Sequence, residues 1–358
     1  MIKQKFRQTA GGVINREKSI SFTFNNKRLY GYDGDTLASA LLANGIHLVS
    51  RSFKTHRARG IMSAGTEEAG AIVQISKNTP KSQPNMRATE VLIYDGLAAQ
   101  SVNAWPSVKF DIASINKLFS KYLFAGFYYK TFMWPKSFWK LLYEPMIRQM
   151  GGLGKCDIIN DDREYERNND FFDLVIIGAG KAGLEYAEQF LRTHKTKDHS
   201  IFDKQSTNDT TLKILLVDEN PLLYLNKERI QKLGKEINVL THTTVFGYYD
   251  NNYLCAVEHV NSSKIDQRIW HITAKQVVLA TGAIERPFVF KNNDLPGIML
   301  ANSVQTYISR FGVRCGKDAV VFTNNDSAYQ VAFDMKAAGI NVKAIIDIRK
   351  TSPFEGRT

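Results

Sequence analysis

The sequence predicts a small α+β roll followed by a parallel α/β module, and three observations carry that prediction. From Ser19 to Phe24 polar and apolar residues alternate, as in a half-buried strand. Gly178-Ala-Gly180-Lys-Ala-Gly183 stands between an apolar run and a helical pattern. Beyond it, apolar runs and helical patterns take turns, the mark of a parallel sheet with crossover helices. The chain has 358 residues, room for two or three domains at the usual ~100–200 residues each.

Taken in order, Ser19–Phe24 turns at Asn25-Asn26 into Lys27–Gly31, a β-hairpin. Asp35 or Thr36 caps a helix whose stripe is Leu37, Ala40, Leu41 and Ala43, ending at Gly45. Strands are expected at Ile46–Val49, Ala71–Ser76 and Ala88–Tyr94. Residues 98–170 read as an aromatic connector carrying Trp105, Phe110, Phe119, Phe124, Phe127, Tyr128, Tyr129, Trp134 and Trp139. Such aromatics are expected in a core or a subunit interface rather than a ligand surface. The polar run 160–170 is expected to be a linker.

Strand and helix then alternate: Phe171–Ile177, a helix over Ala182–Leu191, and Lys213–Val217. Antiparallel strand is inserted around 238–259, followed by a buried strand at Gln276–Ala280. A second βαβ unit follows in Ala319–Phe322, Ala328–Ala338 and Val342–Ile346. It is expected to be incomplete at the C-terminus, leaving an apolar strand uncovered and the chain poorly stable alone. Residues 1–97, 98–170, 171–300 and 301–358 are the expected divisions.

Composition narrows the classes. Hydrophobic residues make up 44% and charged residues 23%, ordinary for a globular chain. The net charge of +12 is scattered without an Arg/Lys block, which argues against a nucleic-acid partner. No run of ~20 uninterrupted apolar residues predicts a membrane span, and the first residues do not form a secretory signal, so a cytoplasmic protein is expected. Cys156, Cys255 and Cys315 lie too far apart for a disulfide framework or a CxxC knuckle.

The chemistry is concentrated in the glycine motif. Gly178 permits a tight turn, Gly180 lets backbone approach a pyrophosphate, and Gly183 lets the helix pack on the strand, with free N–H groups at the helix start. Ala182 completes the turn, and Lys181 adds positive charge. Asp218, with Glu219 beside it, ends the next strand, where an acid accepts hydrogen bonds from ribose hydroxyls and repels a 2′-phosphate. NAD or FAD is thereby favoured over NADP. The spacing from Gly183 exceeds the typical ~20 residues, and a polar insertion around Thr193–Thr210 accounts for the excess. Ala280-Thr281-Gly282 ends a later strand, as in two-dinucleotide-fold oxidoreductases of the pyridine nucleotide-disulfide type, where this turn closes over the nucleotide. The second βαβ unit has no glycine at its turn, and Asp326 or Ser327 is expected to cap its helix. The seven histidines are dispersed, each expected to be structural or solvated, and no catalytic or metal-ligating set stands out.

The segments Gly34–Ile46, Arg51–Ile61, Asn85–Glu90, Ala125–Pro135, Phe246–Asp250, Ala280–Pro287 and Phe322–Tyr329 resemble the alpha subunits of heterotetrameric sarcosine oxidases, over almost the whole chain. In related amino-acid and opine dehydrogenase subunits the first module is a ferredoxin-like β-grasp roll around a [2Fe–2S] cluster. Its Cys-x4-Cys-x2-Cys slots fall here on Ser63, Glu68 and Ala71, with Thr89 near the fourth. The expectation drawn is that no iron–sulfur cluster is bound.

The resemblance implies a subunit in which NAD occupies the glycine motif. It further implies beta, gamma and delta partner subunits, sarcosine oxidised to glycine with oxygen as acceptor at FAD on beta, and FMN at the alpha–beta interface. The products are peroxide with formaldehyde or methylene-tetrahydrofolate. The folate-binding domain of the family is not found in these residues, and the expected catalytic set in this chain is empty. One alternative is a subunit of an FAD-dependent amino-acid or opine dehydrogenase. The other is a non-catalytic scaffold with an empty nucleotide fold.

Overall fold

The computed structural model describes residues 4–76, 82–118, 120, 134–150, 163–197, 212–260 and 265–350. They belong to two compact units, residues 1–161 with 285–358, and residues 162–284.

The first unit begins with the expected hairpin, β1 (Asn15–Phe24) and β2 (Lys27–Asp33), in register from Phe24↔Lys27 to Ile20↔Gly31. Asn25 and Asn26 take φ of 49° and 61°, the left-handed pair that a two-residue turn requires and asparagine tolerates. Ile20, Phe22 and Phe24 face inward, covered by helix α1 (Leu37–Ala43), every residue of which is buried. Thr36 caps α1 by accepting from the Ser39 amide at 3.2 Å. Asp35 has another task. It is buried, takes both terminal nitrogens of Arg7 at 3.0 and 2.5 Å, and accepts from Ser39 Oγ at 2.6 Å.

The sheet order is β2-β1-β7-β5-β6, with β5 Ile72–Ile75, β6 Gln83–Arg87 and β7 Ala98–Ser101. Three expectations give way here. The strand at 46–49 is replaced by a two-residue ladder, β3 (Ser50–Arg51) with β4 (Ala58–Arg59). The strand at 88–94 lies earlier, at β6, because Ala88 to Glu90 turn back, Ala88 donating to Ala71 O. Residues 98–101, placed in the connector, form the central strand, parallel to β1 and antiparallel to β5.

The connector aromatics were expected to pack inward, yet Trp105, Phe110 and Trp134 are 66%, 69% and 84% exposed, so they supply no core to this chain. Phe119, Phe124, Phe127, Tyr128, Tyr129 and Cys156 lie outside the described residues. Helix α2 (Glu144–Met150) closes the described part of this segment.

The same unit contains α5 (Ala301–Phe311), β14 (Asp318–Thr323), α6 (Ser327–Ala337) and β15 (Asn341–Asp347). The two strands are parallel and carry Val304, Val321, Val331 and Met335 in one buried cluster with the helices. Val320, Phe322 and Ile346 on these strands are exposed. Neither Asp326 nor Ser327 caps α6 with its side chain; Asn325 Oδ1 accepts from the Ser327 amide, and Asp326 pairs with Arg349. The roll is tied to this segment by Arg7 donating to Phe311 O at 2.7 Å and by the buried Tyr307 hydroxyl donating to Ser63 O at 2.7 Å. A third tie joins Asp294 to Arg57, at 2.6 and 2.7 Å, and to Arg59.

The second unit is a sheet of order β10-β9-β8-β13-β12-β11. Its parallel part is β8 (Glu164–Ile177), β9 (Ile214–Val217), β10 (Asn238–Leu240) and β13 (Ile265–Leu279); β11 (Thr243–Tyr249) and β12 (Tyr253–His259) are antiparallel. Helices α3 (Lys181–Lys197) and α4 (Lys227–Leu233) bury Leu184, Ala187, Ile230 and Leu233 against one face. Leu254 and Ile272 from the antiparallel strands join Val175 and Leu215 in the other core cluster. The expected linker at 160–170 gives way: from Glu164 onward it is the first half of β8, paired with β13 from Ile265 to Ile272. Its residues are polar because that half is largely exposed, not because it is unstructured.

The Arg57 and Arg59 guanidinium groups hold the Asp294 carboxyl well below the usual carboxylate range, Arg57's hydrogen bonds being the larger cause. A depressed carboxylate stabilises the folded state above its unfolded pKa, near ~4, and that contribution is lost as pH falls towards the folded value. Asp294→Asn is therefore expected to lower stability at neutral pH by about 1–2 kcal/mol, with the deficit narrowing as pH falls below about 4. Thermal unfolding across that range measures it, and a deficit independent of pH would contradict the pairing.

Candidate functional site

The ends of three parallel strands converge in the second unit. The Gly178 amide donates to Val217 O at 2.7 Å and the Ala280 amide donates to Ile177 O at 2.8 Å, so β8, β9 and β13 finish side by side. The crevice beyond the carboxyl ends of such strands is where α/β folds bind ligands.

Each glycine of the motif is accounted for. Gly178 has φ +104°, and a Cβ there would lie 2.3 Å from the Ala280 carbonyl oxygen. A Cβ on Gly183 would lie 1.8 Å from Gly178 O, which is why the helix sits so close to the strand. Gly180 differs, since a Cβ there meets no atom within 4 Å; the space in front of it is open. Helix α3 starts at Lys181, with no acid in its first turn. Its leading amides and positive dipole end therefore face that space beside the exposed Lys181 and Ala182.

The acid at the end of β9 is fastened to the glycine loop. Asp218 Oδ2 accepts from the Ala179 amide at 2.6 Å, and Oδ1 accepts from the Asn220 amide and side chain at 2.8 and 2.9 Å. Asp218 is buried and Glu219 is exposed, so the alignment favouring Asp218 places it against the loop. Thr281 and Gly282 follow Ala280 directly and are exposed; Gly282 has φ +74°, and a Cβ there would meet nothing within 4 Å. All nine expected site residues thus belong to the ends of β8, β9 and β13 or to the start of α3.

Two contributors escaped the sequence reading. Asn220, two residues past the acid, is an Asx-type partner whose Asp-x-Asn spacing is a usable signal. His242 donates its amide to Asn220 O, and burial, with His259 beside it, pulls its imidazole down to about 4, leaving it neutral at pH 7.

In the first unit, the loop holding Ser63, Glu68 and Ala71 is organised by an internal anion. Glu68, 2% exposed, accepts through Oε2 from the Met62 and Ser63 amides at 2.9 and 2.7 Å. Its Oε1 accepts from the Gly70 and Ala71 amides at 2.6 and 2.9 Å. Thr89 donates to Gly65 O at 2.8 Å.

Comparison with known proteins follows the same division. A pyridine nucleotide-disulphide oxidoreductase model matches residues 172–321, and a 2Fe-2S iron-sulfur cluster binding domain model matches residues 17–104. The sarcosine oxidase alpha subunit of Rhizobium meliloti (strain 1021) is 41% identical over 98% of this chain and 36% of that protein. Its counterpart of the same name from Corynebacterium sp. (strain U-96) is 33% identical over 96% of this chain and 32% of its own length. The chain is a homologue of sarcosine oxidase alpha subunits.

It spans about a third of the length of these curated relatives. Among solved structures, L-proline dehydrogenase from P. horikoshii shares the fold, with a TM-score of 0.59 at 18% identity, over 98% of this chain and 57% of that one.

The match over residues 17–104 corrects the expectation that excluded an iron–sulfur cluster: the roll is matched by an iron–sulfur cluster-binding family. As donors for such a group, this loop presents a carboxylate, hydroxyls and backbone amides, the three cysteines of the chain all lying outside 17–104. Among the described residues no helix is long and apolar enough to cross a membrane.

The glycine geometry separates folding from binding. Gly178→Ala and Gly183→Ala force a methyl into backbone and are expected to destabilise the unit by at least about 2 kcal/mol, whereas Gly180→Ala leaves its unfolding midpoint unchanged. Thermal unfolding of the three variants checks this, and equal losses would show that the glycines serve one structural purpose.

Proposed function

We propose that this chain is the dinucleotide-binding part of an oxidoreductase subunit of the sarcosine oxidase kind, holding NAD in the crevice at Gly178–Gly183. The observation that carries the reading is the contrast within one motif: Gly178 and Gly183 are packed against backbone while Gly180 faces open space at a helix start. A glycine needed for folding is crowded; one needed for a ligand is not.

In this reading the pyrophosphate lies over Gly180 and accepts from the first amides of α3, with Lys181 adding charge attraction. Asp218 keeps the loop in place through Ala179 and turns its remaining lone pairs to the ribose hydroxyls, which also disfavours a 2′-phosphate. Glu219 adds negative charge at the same strand end. Thr281 and Gly282 close the crevice on the β13 side, the open space at Gly282 admitting the ligand. NAD supplies hydride chemistry when bound; the chain's residues bind and orient it.

The similarity to alpha subunits supports a place in a complex with beta, gamma and delta subunits that oxidises sarcosine, with the amine chemistry on other chains. An opine oxidase subunit from Agrobacterium tumefaciens (strain Ach5), 22% identical over 52% of this chain, points the same way, towards secondary-amine oxidation.

Gly180→Val is expected to abolish NAD binding while far-ultraviolet circular dichroism stays unchanged. Asp218→Ala is expected to weaken binding by about 1.5–3 kcal/mol, roughly ten- to a hundredfold. Calorimetric titration of the purified protein reads both. Full NAD affinity in a folded Gly180→Val variant would remove the basis of the assignment, and a loss in Glu219→Ala instead of Asp218→Ala would move the ribose contact by one residue.

A further inference from the structure

The antiparallel half of the second unit carries a cluster that the nucleotide site does not use. Tyr253 and Cys255 lie two apart on β12 and so share one face, while Leu254 and Ala256 between and beyond them are buried. Cys255 is directly opposite His271 on β13. Its Sγ lies 3.9 Å from His271 Nδ1, and the Tyr253 hydroxyl is hydrogen-bonded to the same Nδ1. The Tyr253 hydroxyl also interacts with the Cys255 thiol, which holds the phenol above its usual range. A thiol, an imidazole and a phenol therefore converge on one small volume.

The surroundings frame this volume rather than fill it with competing partners. On β11 the residue opposite Cys255 is Gly247, and the Tyr249 ring folds back over it, a Cβ there lying 2.5 Å from the ring. Tyr249 and Tyr253 have ring centroids 6.0 Å apart, and Tyr253 and His271 stack at 6.0 Å. The neighbouring β8 places Asn169 opposite His271 and Arg167 opposite Ile269. Among the described residues no set of three His, Cys, Asp or Glu side chains could hold a metal ion, so the third donor has to be the tyrosine.

We infer that Cys255, His271 and Tyr253 form a binding site for a borderline divalent metal ion, of the zinc class, on the antiparallel strands. Sulfur and imidazole nitrogen bound to one tetrahedral zinc are on the order of 3.6 Å apart, given bond lengths near ~2.3 and ~2.0 Å, and the observed pair is already at 3.9 Å. The softness of a thiolate with an imidazole selects zinc-like ions over calcium or magnesium. Binding replaces the Cys255 thiol proton, which leaves to solvent, while His271 donates the Nδ1 lone pair as neutral imidazole and the Tyr253 hydroxyl turns from that nitrogen to the metal. No electron is transferred. The other described cysteine does not compete: burial pushes the Cys315 thiol far up, keeping it protonated.

Titration of the purified chain with Co2+ tests the site, since thiolate-to-cobalt charge transfer gives an absorption band in the near ultraviolet. One equivalent is expected to produce the band, and Zn2+ is expected to displace it. Cys255→Ser is expected to abolish the band and His271→Ala to weaken cobalt affinity at least tenfold, with Cys156→Ser and Cys315→Ser unchanged. Circular dichroism checks the fold of each variant; if Cys255→Ser does not fold, His271→Ala probes the same ligand set. A wild-type protein without the band at saturating cobalt, or a band that survives in Cys255→Ser, or unchanged affinity in His271→Ala, would overturn the site.

Discussion

The close approach of two backbones at Gly178 and Ala280 is the constraint on which the nucleotide end of this protein depends. With only a hydrogen at Gly178, the end of β8 can lie against the carbonyl of Ala280 at the end of β13, and Gly183 can bring α3 down onto the same turn. The helix start is thereby placed over the strand ends, where its unpaired amides meet open space at Gly180. Asp218 locks the arrangement from the side of β9 by accepting from Ala179. Removing a side chain from three positions and adding a carboxylate at a fourth produces the crevice.

The first unit is held together by different means, chiefly buried charge satisfied by many donors. Asp35 gathers Arg7 and the Ser39 hydroxyl, and Asp294 gathers Arg57 and Arg59. Glu68 gathers four backbone amides. A buried carboxylate is tolerated when each oxygen is fully hydrogen-bonded, and such groups fix loops that have little apolar surface of their own. The Met62–Ala71 loop is ordered in this way by its own side chain, in a roll that is matched by iron–sulfur cluster-binding domains.

What the sequence revealed tracks where physics is local. The Asn25-Asn26 turn, the Thr36 cap and the glycine motif are decided within a few residues, and each was legible. Strand positions at 46–49 and 88–94 were misplaced because pairing with distant partners, not local alternation, decides where a strand lies. Residues 164–170 read as linker because β8 is exposed along that half, and 98–101 escaped notice because Ala-Ala-Gln-Ser has little strand propensity of its own. In the site, the glycines and Asp218 could be named from the motif, but the bond from Asp218 to Ala179 spans 39 residues and has no signature in either segment. The Cys255–His271 pair was hidden for the same reason: only the register of β12 on β13 brings the two together.

The central claim is that the crevice at Gly178–Gly183 holds NAD, and identification of the nucleotide carried by the purified protein tests it most directly. Denaturing the protein, separating the released small molecules by chromatography and weighing them by mass spectrometry gives both identity and stoichiometry. The account predicts NAD at up to one molecule per chain, with purified NAD rebinding to protein stripped of ligand. FAD as the sole nucleotide, or a folded protein that neither carries nor rebinds any dinucleotide, would contradict it.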